Sequence, residues 1–438
     1  MGVPLLMSSG AFTGTDFCII ADVENPVNSQ QRLSPFSFTK SITESILEKV
    51  SFMSSEFDEM LRIGVIGPSW WFDFWHLPSV QRHPEAKIVG VCGEKPRTAE
   101  EVKAKYGEDA EYFTDLSTML ETSNPDGVII CTPNDRHYPS AMAALTRGIG
   151  VLVEKPISMN ASMAWDMAEE WEAQTVPGMV NFPYRSNPCV IKMRELIEEG
   201  FIGTPLHIHA SYHGGYGIGK PPGWRGSRQH SNAGILADLG SHLIDLGRFV
   251  LSREITAVCA HNLTALWSEN KEDAPTLLHT EGGHDALRDR NDDSCAFLAE
   301  MEGGVQGVFH TSWIAYQGAE GQTQKIEVHG TEGRLRFYAS HLGTHLEATQ
   351  KPEKDWQIVP VSGVTTPAEA LCDDEDYFRP NRLNEESVTY RWLNALLENA
   401  AREEPTLREG AIVQSVIDAV LASSSTRAWR DVQYPLEE

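Results

Sequence analysis

Asp238 and His242 stand four residues apart in Gly234-Ile-Leu-Ala-Asp238-Leu-Gly240-Ser-His242, and Lys155 follows an apolar run in Val153-Glu154-Lys155-Pro156. On a helix, i,i+4 spacing puts the acid and the imidazole on one face. The pair reads either as a solvent-facing ion pair or as two groups working on one ligand. An imidazole has an ordinary pKa of ~6.5 and exchanges its proton near neutrality. A lysine at the carboxyl end of a parallel strand points into the crevice where such sheets bind ligands. The alternative is a solvated lysine at the start of a loop. The residue types are those of proton transfer and of charge stabilisation at an oxygen.

The elements that must position them alternate in kind. From Leu61 onward, short apolar runs (63–66, 88–92, 111–113, 127–131 and 151–154) are separated by helical stretches (79–83, 98–106, 116–122 and 136–147). Repeated βα units with continuous apolar strands predict a parallel sheet covered on both faces. The expected fold class is α/β: a doubly wound Rossmann domain over 61–182, then an α/β domain over 183–438 built on antiparallel hairpins; that its mainly antiparallel sheet is open and serves substrate binding and oligomerisation is what the family resemblance given below implies. In the second part, helices are expected at 187–199, 234–251, 389–402 and 409–427. Strands are expected at 206–216, 255–266, 294–300, 305–314, 325–329 and 334–338, with Gly-containing turns between the later ones. The polar stretch 268–292 reads as a surface loop. Residues 1–60 lack a sustained period and read as a flexible extension; Asp16, Asp22, Glu24, Glu44 and Glu48 argue against a transit peptide there.

The first strand runs into Gly67-Pro68-Ser69-Trp70-Trp71-Phe72. A dinucleotide loop uses one glycine for the turn, a second for close approach of a pyrophosphate and a third for helix–strand packing. Gly67 fills the first place. Ser69 stands in the second, where its hydroxyl can donate to a phosphate. Phe72 stands in the third, where a ring should push the helix away. The second strand ends at Gly93, where an acid often binds the ribose hydroxyls. Glu94, Lys95 and Arg97 follow; the basic pair tolerates a 2′-phosphate and the acid opposes it. The cofactor expected is NADP or NAD, with a lean to NADP.

The net charge of −26, from 62 acidic and 36 basic residues, repels phosphate backbones, so nucleic acid is not expected as a partner. No run approaches the ~20 apolar residues of a membrane helix, and no membrane partner is expected. Seven cysteines without a CxxC pair read as reduced thiols of a cytoplasmic protein, and no metal site is expected.

Taken together, the loop at Gly67, Glu154-Lys155-Pro156 and Asp238-x-Gly240-x-His242 resemble the glucose–fructose oxidoreductase / inositol dehydrogenase (Gfo/Idh/MocA) family. Thr132-Pro133-Asn134 with His137 is similar to the family's loop after the fourth strand, and Tyr184-Arg185-Ser-Asn-Pro188 to the start of its second domain. The resemblance covers about residues 61 to 430. It implies hydride transfer between NAD(P) and a hydroxyl or ketone of a sugar, sugar derivative or cyclitol. By motif match, Lys155 is the active-site lysine, Asp238 the acid and His242 the general acid/base. The cofactor is expected on Gly67, Ser69, Trp70, Trp71, Gly93, Glu94, Arg97, Thr132, Pro133, Asn134, His137, Glu154 and Lys155. The substrate is expected on Lys155, Tyr184, Tyr212, Trp224, Arg225, Asp238 and His242, where aromatic faces suit the C–H groups of a polyol. A homo-oligomer, dimer or tetramer, is expected. Two other functions known among relatives remain open: a glycosidase that oxidises transiently with bound NAD, and a non-catalytic dinucleotide sensor. The catalytic trio speaks against the sensor.

Overall fold

The computed structural model describes residues 60–219, 223–266, 276–279, 289–350, 355–363 and 385–435. The N-terminal extension expected over 1–60 lies, but for Met60, outside them. A six-stranded parallel sheet comes first: β1 (Leu61–Ile66), β2 (Ala86–Cys92), β3 (Glu111–Phe113), β4 (Gly127–Ile130), β5 (Gly150–Glu154) and β6 (Gly178–Asn181), in the order β3-β2-β1-β4-β5-β6. The order reverses between β1 and β4, so the crevice at their carboxyl ends is the topological switch point. The sixth strand, preceded by a helix at Ala161–Ala173, extends the five runs expected from the sequence.

Among the described residues the second sheet has ten strands: β7 (Pro205–His213), β8 (Ile255–Leu266), β9 (Thr276–His279), β10 (Ser294–Met301), β11 (Val305–Ser312), β12 (Thr323–Gly330), β13 (Arg334–Ser340), β14 (Gly343–Thr349), β15 (Gln357–Val359) and β16 (Arg430–Asp431). They run β15-β14-β13-β12-β7-β11-β10-β8-β16, with β9 on β8. Every pair is antiparallel except β7–β11, which runs parallel with His207 opposite Gln306. Alternation is strict along β10, where Cys295, Phe297, Ala299 and Met301 are buried and the residues between them face outward. A half-buried strand requires that pattern.

Several expectations need correction. The residues after Gly67 are not an open loop: Trp70–Trp75 is a helix, broken at His76 and resumed over Leu77–Arg82 with Pro78 in its first turn. Phe72 does not push the helix away; it is fully buried among Ile63, Val65 and Tyr106. A helix of only six residues can tilt to seat the ring instead of a glycine. The stretch 268–292 is not a plain surface loop, since it contains β9 and ends in buried Asn291 and Asp292. Asn262 and Thr264 donate to the Asp292 carboxylate from 2.9 Å, which compensates its burial. The helix expected over 234–251 opens with a π-turn, Leu236–Gly240, before the α-helix Ser241–Leu251.

One apolar core runs from Val151 and Val180 of the first sheet, through the helices Ala161–Ala173 and Leu407–Thr426, to Ile208, Phe309 and Val328 of the second. A smaller core under the first sheet closes with Val388, Trp392 and Leu393 from the helix Val388–Glu398. That helix docks over Gly127 and Gly150. A Cβ at either would come within 2.7 Å of the Trp392 or Leu396 side chains. Cys92, Cys131, Cys189, Cys259 and Cys295 are free thiols. Among the described residues no helix is long and apolar enough to cross a membrane.

A buried ion pair fixes the start of the second domain. Arg185 donates to both oxygens of Asp245, at 3.0 and 3.1 Å from Nε and 2.6 Å from Nη2, and its Nη1 lies 2.5 Å from Glu409. Burial pushes the Asp245 carboxyl up, and Arg185 counters it. Asp245→Ala strands the arginine without its main partner in the core. The expected loss is about 3–5 kcal/mol, measured as the shift in urea-unfolding free energy against the wild-type protein.

Candidate active site

The carboxyl ends of β1, β4 and β5 open onto a cavity of about 470 Å³, whose far wall comes from the second domain. β5 ends in Glu154, and Lys155 projects across the gap. Its Nζ donates to the Asp238 backbone carbonyl at 2.7 Å and to Asp238 Oδ1 at 3.2 Å. The π-turn delivers Asp238 in this position; an extra residue in one helical turn is a frequent device at functional sites. Tyr216 donates to Asp238 Oδ2 at 2.6 Å and Arg225 Nε to Oδ1 at 3.1 Å. Burial alone would raise the Asp238 carboxyl. Arg225, Lys155 and the Tyr216 hydroxyl outweigh it and hold the group well below the usual range, so it is a carboxylate. The same acid pushes the Tyr216 hydroxyl, already raised by burial, higher still.

His242 sits one turn further on, edge-on to Tyr184 at 4.8 Å between ring centroids. Burial first, then the Lys155 charge, drives its pKa well below the ordinary imidazole value. The ring is neutral near pH 7 and free to accept a proton. Tyr184 and Tyr212 share a hydrogen bond of 2.6 Å, and Tyr212 donates onward to Gln322 Oε1 at 2.9 Å.

Glu154 is 6% exposed and also lines the cavity. Its Oε1 accepts from Trp71 Nε1 at 2.8 Å and Asn181 Nδ2 at 2.7 Å and lies 2.9 Å from His76 Nε2. Burial would raise this carboxyl, but the bond to His76, the charges near it and the bond from Asn181 hold it at about 2. His76, Cys131 and Glu154 bring a nitrogen, a sulfur and an oxygen within 4.8 Å of one another. The donors already on Oε1 make this a hydrogen-bonded cluster.

Of the residues expected from the sequence, Ser69, Trp70, Trp71, Thr132, Pro133, Asn134, His137, Glu154 and Lys155 line the cavity from the first domain. Tyr184, Tyr212, Trp224, Arg225, Asp238 and His242 line it from the second. Gly67, Gly93, Glu94 and Arg97 do not reach it. Gly67 makes the turn at φ 84°, close against Thr132. At Gly93 a Cβ would stand 2.5 Å from the Tyr112 hydroxyl and 3.0 Å from Pro68, which leaves no room for an acid. Arg97 donates to the Pro68 carbonyl at 3.0 Å and to the Tyr106 hydroxyl at 3.2 Å, and Glu94 pairs with Arg136 at 2.9 Å. The His137 ring bridges the carbonyls of Pro156 and Thr132, at 2.8 and 2.9 Å, and so joins the ends of β4 and β5. Ser69 caps the aromatic helix by accepting from Phe72 N at 3.3 Å.

Sequence reading alone does not reach Trp75, Cys131 and Gln322 in the lining, nor His76 behind it. Tyr216 carried a signal, the Gly-rich segment after β7. Gln322 carried none; it arrives through the pairing of β12 with β7, which places Gln324 opposite Tyr212.

A dinucleotide fits the donor set: a capped helix start at the switch point, a neutral base and a lysine facing one cavity of ordinary ligand size. Fold and site together define a two-domain, Rossmann-type oxidoreductase. Residues 61–182 match the oxidoreductase family with an NAD-binding Rossmann fold, and residues 190–336 match the GFO/IDH/MocA C-terminal domain. The chain belongs to the Gfo/Idh/MocA family of oxidoreductases. It is 24% identical over 393 residues to a levoglucosan dehydrogenase of Pseudarthrobacter phenanthrenivorans, covering 82% of this chain and 92% of that one. It is 26% identical over 306 residues to the NADP-dependent D-xylose 1-dehydrogenase of Haloarcula marismortui, covering 66% and 79%. The solved oxidoreductase domain protein of Kribbella flavida superposes with a TM-score of 0.69 at 26% identity, over 86% of this chain and all of that one.

The low pKa of His242 has a consequence for stability. The unfolded chain binds a proton near pH 6.5 and the folded one only at lower pH. Stability conferred by the neutral ring is full above that pH and is lost as pH falls below it. Between pH 7.5 and 5, the unfolding free energy of the wild-type protein should fall more steeply than that of His242→Asn in parallel urea titrations.

Proposed function

We propose that the protein oxidises a hydroxyl of an uncharged sugar or cyclitol, or reduces the corresponding ketone, with Lys155, Asp238 and His242 at the reacting centre. The observation that carries this reading is the convergence of a neutral buried imidazole and a lysine on one cavity. His242 would accept the hydroxyl proton as hydride leaves the carbon. Lys155 would hydrogen-bond the same oxygen and stabilise the charge that develops on it. Asp238 orients Lys155, Tyr216 and Arg225. The cofactor, when bound, supplies the hydride acceptor; Ser69, Thr132, Asn134 and their neighbours would hold it. The two cations and two carboxylates lining the cavity balance, which favours a neutral substrate. The sugar enzymes among the relatives support the substrate class.

The direct test is an absorbance screen at the reduced-nicotinamide band across neutral sugars and cyclitols with NAD and NADP. Net consumption of free cofactor is expected, which also separates this activity from a glycosidase that recycles its NAD. His242→Ala should lower turnover by about 10²–10⁴-fold, with cofactor affinity little changed. Turnover near normal would remove the histidine from its role.

For cofactor choice we infer NADP, because Gly93 leaves no space for a ribose-binding acid and Arg97 lies beside the Pro68 turn. Arg97→Ala should weaken NADP binding by about tenfold while sparing NAD; equal loss for both would assign the arginine to the loop alone.

A further inference from the structure

Glu154 does no work in the mechanism above, yet it is the most heavily bonded acid of the cavity. Trp71, His76 and Asn181 converge on Oε1 from the aromatic helix, the break that ends it and β6. His76 is in turn held by Thr389 Oγ1 at 2.9 Å, from the helix that closes the smaller core. Among the described residues, Oε2 keeps only a long contact from the Lys155 backbone N–H at 3.2 Å. The other carboxylate, Asp238, already faces the two cations, Lys155 and Arg225. Glu154 has an indole, an amide and an imidazole as its side-chain partners, and the Lys155 charge reaches it without a direct ion pair. It is a fixed negative charge in a nearly dry cavity wall, where fields are weakly screened.

The nicotinamide ring is a cation when oxidised and neutral when reduced. A buried anion beside its binding cavity acts on one form and not on the other. Building on the cofactor reading above, we propose that Glu154 is the counter-charge for the oxidised nicotinamide ring, oriented by Trp71, His76 and Asn181, and that it shifts the balance of binding toward the oxidised form. The aromatic character of the helix after Gly67 then has a function: the Trp71 indole N–H reaches a carboxylate that a glycine could not, and its dipole partly offsets the charge the ring would feel.

The test titrates the full-length protein with NAD⁺, NADH, NADP⁺ and NADPH, following intrinsic fluorescence. In Glu154→Gln the ratio of oxidised to reduced Kd should rise by about tenfold. Trp71→Phe keeps the charge but removes a dipole whose positive end faces it, so the ratio should move the other way, by about two- to threefold. Equal weakening of both forms in Glu154→Gln would make the acid structural only and overturn the proposal. If Glu154→Gln does not fold, Trp71→Phe decides: an unchanged or increased ratio overturns the proposal as well. If the wild-type protein binds none of the four, the cofactor reading itself has failed; binding with an unmoved ratio defeats the counter-charge alone.

Discussion

The structure turns on the Asp238 carboxylate. It is buried, and burial of an ion without partners is costly enough that the group would rather take up a proton. Here Lys155 crosses from the first domain, Arg225 and Tyr216 close over it from the second, and the acid stays ionised. The same set of bonds closes the cleft between the sheets and keeps a positive charge at a fixed place beside His242. That charge, together with burial, keeps the imidazole neutral. The contact between the domains, the ionisation of the acid and the neutrality of the imidazole are therefore parts of one electrostatic arrangement.

Legibility in the sequence followed distance along the chain. The βα alternation, Lys155 after an apolar strand and the four-residue spacing of Asp238 and His242 are local patterns, and each reached its place. The trio's convergence was legible only through resemblance to a family, because Lys155 and Asp238 are 83 positions apart. What stayed hidden was built by long-range pairing. His76 looks like an ordinary helix residue until Glu154 and Thr389 are brought to its two nitrogens. The π-turn at Leu236–Gly240 is invisible because Leu236, Leu239, Leu243, Leu246 and Val250 keep the alternating spacing of three and four that a plain α-helix also shows. Asn291 and Asp292 belong to a polar stretch and read as solvent-exposed; the bond from Asn291 to the Arg225 carbonyl and those to Asp292 from Asn262 and Thr264 of β8 make their burial tolerable.

The aromatic loop shows how a weak fingerprint can still carry its geometry. Gly67 keeps the turn that no other residue makes easily at a positive φ. The remaining glycine roles are replaced by other means. Ser69 caps the helix, Phe72 fills core volume, and Trp71 trades close backbone approach for a hydrogen bond to Glu154. The missing acid at Gly93 is likewise a matter of space, since Tyr112 and Pro68 occupy the room its side chain would need.

The helix Val388–Glu398 has a consequence for the order of synthesis. Trp392 and Leu393 belong to the same apolar cluster as Ile63, Ile129 and Leu152, and Thr389 holds His76. The first sheet's strands have all left the ribosome once residue 181 has emerged, but their covering helix comes more than two hundred residues later. Until then the nascent domain exposes one apolar flank and lacks a bond of its polar core. Domains generally fold as units during translation; here the earliest-made unit must wait for nearly the last helix. Loss of the C-terminal fifty residues would leave that flank uncovered and His76 without its bond to Thr389.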